Sequence, residues 1–220
     1  MNWPQQLVFV RHAESMVNIL SIEEMVRLKV VDHEASLTLR GLVQLNYTAE
    51  YLYQTYGSFD SYFISTYQRT NETLQQLYPG VKPIKSSLLN EAHWGIWLRM
   101  TEEQIRERFP EEIEWRDSEG LYHHRALGGG QNWPDMECLA ITFLQMLQLQ
   151  YVGKRVLIVG HRNWFIAMQR VIHHFPIEEI FKKREDEEFC RNASVTEYQP
   201  EEVEGQLRLV LKKECLVPWK

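Results

Sequence analysis

Two stretches of this chain are apolar at every position and too short to be helices: Leu7-Val8-Phe9-Val10 and Val156-Leu157-Ile158-Val159. A strand that is apolar on both sides cannot leave either side in water. It must lie inside a sheet covered by other layers above and below. Tyr62-Phe63-Ile64 reads as a further buried strand. Between these runs the apolar spacing changes to that of helices. Helices are predicted from Glu14 to about Leu28, from Arg40 to Tyr53 and from Arg69 to Leu77, the last stopped by Pro79-Gly80. The second is expected to bury Leu42, Leu45, Ala49 and Leu52 on one face. Thr101 and Gln104 have the spacing of a capping box, opening a helix that ends before Pro110. Pro134 suits the first turn of a helix running to about Leu149, and Trp164 to Phe175 reads as another. Val195–Tyr198 and Leu207–Leu211 flank Gly205 as a hairpin. The alternation predicts a three-layer α/β/α sandwich with a mostly parallel central sheet and an antiparallel edge strand. With no repeat and no linker, residues 1–220 read as a single domain.

Composition removes several classes of function. No run of apolar residues is long enough to span a membrane. A net charge of −6 argues against a nucleic-acid surface, although a local basic pocket remains compatible with it. The three cysteines, Cys138, Cys190 and Cys215, are odd in number and widely spaced. That spacing, and the absence of a basic leader with an apolar segment, lead us to expect no signal peptide and a reducing, cytoplasmic setting.

In open α/β sheets, ligands bind beyond the carboxyl ends of the strands. The first strand exits into Arg11-His12, the central one into Gly160-His161-Arg162, and the second into a segment carrying Ser65, Arg69 and Thr73. Two histidines and two arginines leaving one edge of the sheet make a positive cluster in an acidic chain, which suits a phosphate group. Taken singly, each has a plainer reading: a structural histidine, a solvated arginine. Three exits carrying one chemistry favour a site.

The stretch from Leu7 to Asn18, with Arg11-His12-Ala13-Glu14-Ser15 at its centre, resembles the opening signature of the histidine phosphatase superfamily, in its phosphoglycerate-mutase-like branch. Further blocks are similar to the family's later ones, in order. These are Leu37-Thr38-x-x-Gly41-x-x-Gln44, Ser65-x3-Arg69-x3-Thr73, Leu89-x-Glu91-x-x-x-Gly95, Val159-Gly160-His161 and Asn192–Thr196. The chain departs from the pattern twice. Ala13 stands where the family has glycine, acceptable if the backbone there is not left-handed. Arg162 follows the second histidine in place of a glycine.

The resemblance implies roles. His12 attacks phosphorus, with one ring nitrogen held by a backbone carbonyl near Gly41. Arg11, Arg69 and Asn18 bind the phosphoryl oxygens, and His161 adds a further donor. Glu91 protonates the leaving oxygen. Ser15, Arg162, Asn163 and Arg125 are weaker candidates for contacting substrate. Arg125, with His123 and His124, would meet a second anionic group. Trp94 and Trp97 are expected to wall the acid, and Trp133 and Trp164 to pack in the core. No metal site is expected, at His123-His124, His173-His174 or elsewhere, and no cofactor. The implied activity is metal-independent hydrolysis of a small phosphorylated metabolite by a monomer or homodimer. The interval from Glu91 to His161 is short, and Arg116-Asp117-Ser118 is the only trace of the mutases' Arg-Arg-Ser segment. A cofactor-dependent phosphoglycerate mutase and a catalytically inactive phosphate-binding member remain as alternatives.

Overall fold

The computed structural model describes residues 3–219. Six strands form one sheet: β1 (Gln6–Arg11), β2 (Ser61–Ile64), β3 (Ile84–Lys85), β4 (Arg155–Gly160), β5 (Val195–Val203) and β6 (Gln206–Leu216), in the order β3-β2-β4-β1-β5-β6. The strands from β3 to β1 are parallel; β5 runs antiparallel to both its neighbours, β1 and β6. The hairpin of β5 and β6 makes the expected antiparallel edge of the sheet. The helices are α1 (Met16–Ile19), α2 (Ile22–Arg27), α3 (Leu39–Tyr56), α4 (Gln68–Leu77), α5 (Glu102–Arg108), α6 (Pro110–His123), α7 (Trp133–Gln150), α8 (Arg162–His173) and α9 (Ile177–Glu185).

The two apolar runs divide their side chains between two cores, as period-2 geometry requires. Leu7, Phe9, Val156 and Ile158 pack with α7, α8 and Ile180 of α9, where Trp133 and Trp164 are buried. Val8, Val10, Leu157 and Val159 pack with Leu45 and Leu52 of α3 and Leu74 and Leu77 of α4. All eight of these strand residues are fully buried. Each such side chain contributes about 1.5–3 kcal/mol relative to exposure. This places β4 and β1 at the centre and aims both their carboxyl ends at one edge.

Several local expectations change. The helix predicted over 14–28 is two short helices, because Ser21 caps α2 and exchanges hydrogen bonds with Glu24. Leu42 of α3 is exposed. The buried stripe is Gly41, Gln44, Leu45, Thr48, Leu52 and Tyr56, and its polar members earn burial through hydrogen bonds. Pro110 ends one helix and also opens α6, which periodicity alone does not reveal.

The Leu37–Gln44 block turns out to hold the loop after His12. Thr38 N–H donates to Glu14 O (2.9 Å), and Gln44 Oε1 accepts from Glu14 N–H (3.0 Å). A Cβ at Gly41 would sit 2.2 Å from Glu14 O. Gly41→Ala must push α3 off this loop, which should cost about 1–3 kcal/mol and lower the Tm by roughly 5–10 °C. An unchanged thermal unfolding curve would refute that reading.

Candidate active site

The end of β1, the start of α4 after β2 and the loop after Leu89 line a cavity of about 960 Å³, and His161, after β4, packs against His12 outside that lining. Arg11, His12, Asn18, Arg69 and Glu91 line it. His12 leaves β1 hydrogen-bonded through its own N–H to Gly160 O (2.9 Å). Its Nδ1 lies 2.8 Å from Ala13 O. A carbonyl only accepts, so the proton is on Nδ1 and Nε2 keeps its lone pair. The holding carbonyl is thus the neighbouring residue's, not one near Gly41. Ala13 is absent from the residues with positive φ, so alanine fits there without strain. Burial first, then the charges of Arg69 and Arg11, hold the His12 pKa well below the usual imidazole value.

The His161 ring lies 5.2 Å from that of His12, centroid to centroid. Its Nε2 is 2.8 Å from Ser65 Oγ. Ser65 Oγ also accepts from Tyr67 N–H (3.1 Å) and lies 3.0 Å from Thr70 Oγ1, leaving Nδ1 as the free nitrogen of the His161 ring. That Nδ1 is buried and has no partner among the described residues. Burial and the nearby cations depress the His161 pKa as well. Bound phosphate dianion would act in the opposite direction.

Both arginines are anchored by one arm. Arg11 Nη1 donates to Cys190 O (2.8 Å), and Arg69 Nη1 to Asp32 O (2.6 Å) and Asp32 Oδ1 (3.2 Å). The Nε atoms of both are buried without a partner among the described residues. Asn18 Oδ1 is occupied by Ser15 N–H and Ser15 Oγ–H, each 3.0 Å, and by Asn192 Nδ2–H (3.3 Å). Its amide nitrogen is left for the cavity. Glu91 Oε1 accepts from Ala92 N–H (2.9 Å) and Oε2 from Asn163 N–H (3.3 Å). Burial nevertheless dominates and raises its pKa above the usual carboxylate value. The glycine of this block has a physical cause. Gly95 has φ of 54°, and a Cβ there would lie 2.0 Å from Leu127 O.

Four weaker candidates fall elsewhere. Ser15 is buried and caps α1 rather than lining the cavity. Arg162 turns away to the carbonyls of Lys183 and Asp186, near the end of α9. Asn163 contributes its backbone N–H to Glu91. Arg125 pairs with Asp135, and His124 with buried Glu112, so neither faces the cavity. Trp94 lines the cavity, whereas Trp97 lies under Arg116. Sequence reasoning missed the anchors Cys190 O and Asp32, and it missed the outer wall formed by residues 25–31 and 96–100.

The profile of the histidine phosphatase superfamily (branch 1) matches residues 7–212. The chain belongs to this family. Among curated proteins it is 25% identical over 178 residues to fructose-2,6-bisphosphatase of Saccharomyces cerevisiae, covering 80% of this chain and 36% of that one. It is 24% identical to phosphoglycerate mutase of Schizosaccharomyces pombe, covering 82% of this chain and 85% of the relative. The chain therefore spans about a third of the budding-yeast relative's length. Among solved structures it resembles a mycobacterial glucosyl-3-phosphoglycerate phosphatase, with a TM-score of 0.70, 19% identity, and coverage of 98% and 99% of the two chains. That likeness establishes a phosphoglycerate-mutase-like fold for this chain. No helix among the described residues is long and apolar enough to cross a membrane.

Proposed function

We propose that this histidine phosphatase hydrolyses small phosphomonoesters through a phosphohistidine on His12. One observation carries the reading. Two buried donors, Arg11 Nε and Arg69 Nε, lack partners among the described residues, on guanidinium groups close enough for their charges to depress the pKa of His12, an imidazole whose Nε2 lone pair is free. Such donors are costly to bury unpaired and are suited to phosphoryl oxygens. His12 Nε2 attacks phosphorus, and the bond to the leaving oxygen breaks. Protonated Glu91 gives that oxygen its proton. The resulting carboxylate then takes a proton from water, whose oxygen attacks phosphorus. The P–N bond breaks, releasing phosphate and restoring His12. Guanidinium and imidazole groups compensate the charge throughout.

A phosphatase is favoured over a mutase because Arg116, the trace of the mutase segment, is held by Glu102 and Asp117 and does not line the cavity. Hydrolysis of p-nitrophenyl phosphate in excess EDTA tests the reading. Activity that disappears on chelation, or no activity on any phosphomonoester, would refute it.

The pH dependence follows from the two shifts. His12 has its pKa depressed, so it stays neutral until the pH falls well below 6.5. Glu91 has its pKa raised, so its protonated fraction persists above 4.5 and is lost as the pH climbs further. After correction for the substrate's second ionisation near about 6, kcat/KM should be highest on the acid side of neutrality and decline towards alkaline pH. A corrected profile that rises through neutrality with an ordinary imidazole midpoint would contradict this assignment.

A further inference from the structure

We propose that the outer chamber of the cavity selects phosphomonoesters whose leaving group has an apolar body ending in a second anion, received by Lys29 and Arg99. This rests on the phosphatase reading for the end at which the ester is cleaved. The cavity of about 960 Å³ is far larger than a phosphoryl group needs. It lies at the upper end of the roughly 300–1,000 Å³ typical of small-molecule sites. Val26 and Val30 form one wall of the outer part, and Ile96, Leu98 and Met100 form the other. No serine, threonine or glutamine side chain lines any part of it. A polyhydroxylated sugar would turn several hydroxyls against these walls without partners, whereas an aryl or alkyl body would not.

The charges of this chamber are one-sided. Of the two lining carboxylates, Asp32 is held by Arg69 and Glu91 belongs to the phosphoryl end. Lys29 and Arg99 are exposed, and neither side chain has an ion-pair or hydrogen-bond partner among the described residues. They come from opposite walls, one after α2 and one after the turn at Gly95–Leu98. Lys29 also has φ of 55°, a left-handed conformation that a lysine adopts at a cost. The turn is closed by Val30 N–H donating to Met25 O (2.9 Å), which keeps Lys29 beside the cavity.

The test compares phenyl phosphate, 4-(carboxymethyl)phenyl phosphate, glucose 6-phosphate and 3-phosphoglycerate as substrates. In parallel, calorimetry compares the non-hydrolysable benzylphosphonate with its 4-carboxymethyl derivative. The carboxylated aryl ester should exceed phenyl phosphate by about tenfold in kcat/KM, with a matching ratio of Kd for the phosphonates. The Lys29→Ala/Arg99→Ala double variant should collapse both ratios to about one, and Lys29→Arg/Arg99→Lys should retain them. A sugar phosphate or 3-phosphoglycerate outpacing the carboxylated aryl ester would overturn the proposal. So would ratios that survive the double alanine change. If no ester is cleaved, the phosphatase reading fails, and the phosphonate Kd ratio alone decides the chamber's specificity.

Discussion

Replacing His12 by alanine is expected to lower kcat on p-nitrophenyl phosphate by at least about 10⁴-fold, the scale seen when a covalent nucleophile is removed. The ring is 3% exposed, its Nδ1 proton is fixed on Ala13 O at 2.8 Å, and its pKa is pushed down by burial and two guanidinium groups. The neighbouring His161 has its Nε2 hydrogen-bonded to Ser65 Oγ and is not among the residues lining the cavity. The variant should still bind inorganic phosphate by calorimetry, because both arginines are anchored by carbonyls independent of residue 12. It should also show no phosphoryl group on the chain by mass spectrometry under alkaline quench, where wild type carries one. Activity within tenfold of wild type, in a variant that binds phosphate, would remove His12 as nucleophile.

Glu91→Gln should separate leaving groups. An alkyl ester departs as a strongly basic alkoxide and needs the proton. Its kcat should fall by about 10²–10⁴-fold, the usual range for a lost general acid. p-Nitrophenolate leaves unaided, so formation of the phosphohistidine should be little affected. Its hydrolysis should slow, since no carboxylate is left to take a proton from water. The expected signature is a stoichiometric burst of nitrophenolate followed by slow turnover. The backbone N–H groups of Ala92 and Asn163 hold residue 91 in either form, with one acceptor lost. Equal losses on both esters without a burst would mean that Glu91 does not handle the leaving-group proton.

Sequence exposes groups that do chemistry with their side chains, and hides those that act through carbonyls or by fitting together. Arg11, His12, Arg69 and Glu91 are readable because few other residue types can serve the charge compensation, attack and proton donation proposed for them. Their supports are carbonyls of Ala13, Asp32 and Cys190, which every residue type carries. The outer chamber is hidden for a different reason. Val26, Val30 and Ile96 have the composition of any amphipathic segment, and only the break at Ser21 shows that Val26 is not buried by one long helix over 14–28. Arg162 was readable only as a cation beside a histidine. Its true partners are carbonyls near the end of α9, a helix with no clear apolar run to announce it. The strands of the sheet centre were legible because four consecutive apolar residues have few other destinations. β3, two residues long, was not.

The place of β1 in the sheet also fixes an order of events during synthesis. Its two neighbours are β4 and β5, so the first strand made waits for residues 155–160 and 195–198 before either edge is paired. The carbonyl of His12 is held by Asn192 Nδ2 (3.0 Å) and by Ala193 N–H (3.3 Å), a residue with φ of 56°. At roughly 5–20 residues per second on the ribosome, the histidine waits about 10–40 s for these partners. Until then Leu7–Val10 is an apolar segment with both edges open, the kind that nascent chains need shielded. A chain halted before Cys190 would therefore hold His12, both arginines, Glu91 and His161, and still lack the carbonyl that anchors Arg11. The first site residue to leave the ribosome is among the last to reach its working geometry.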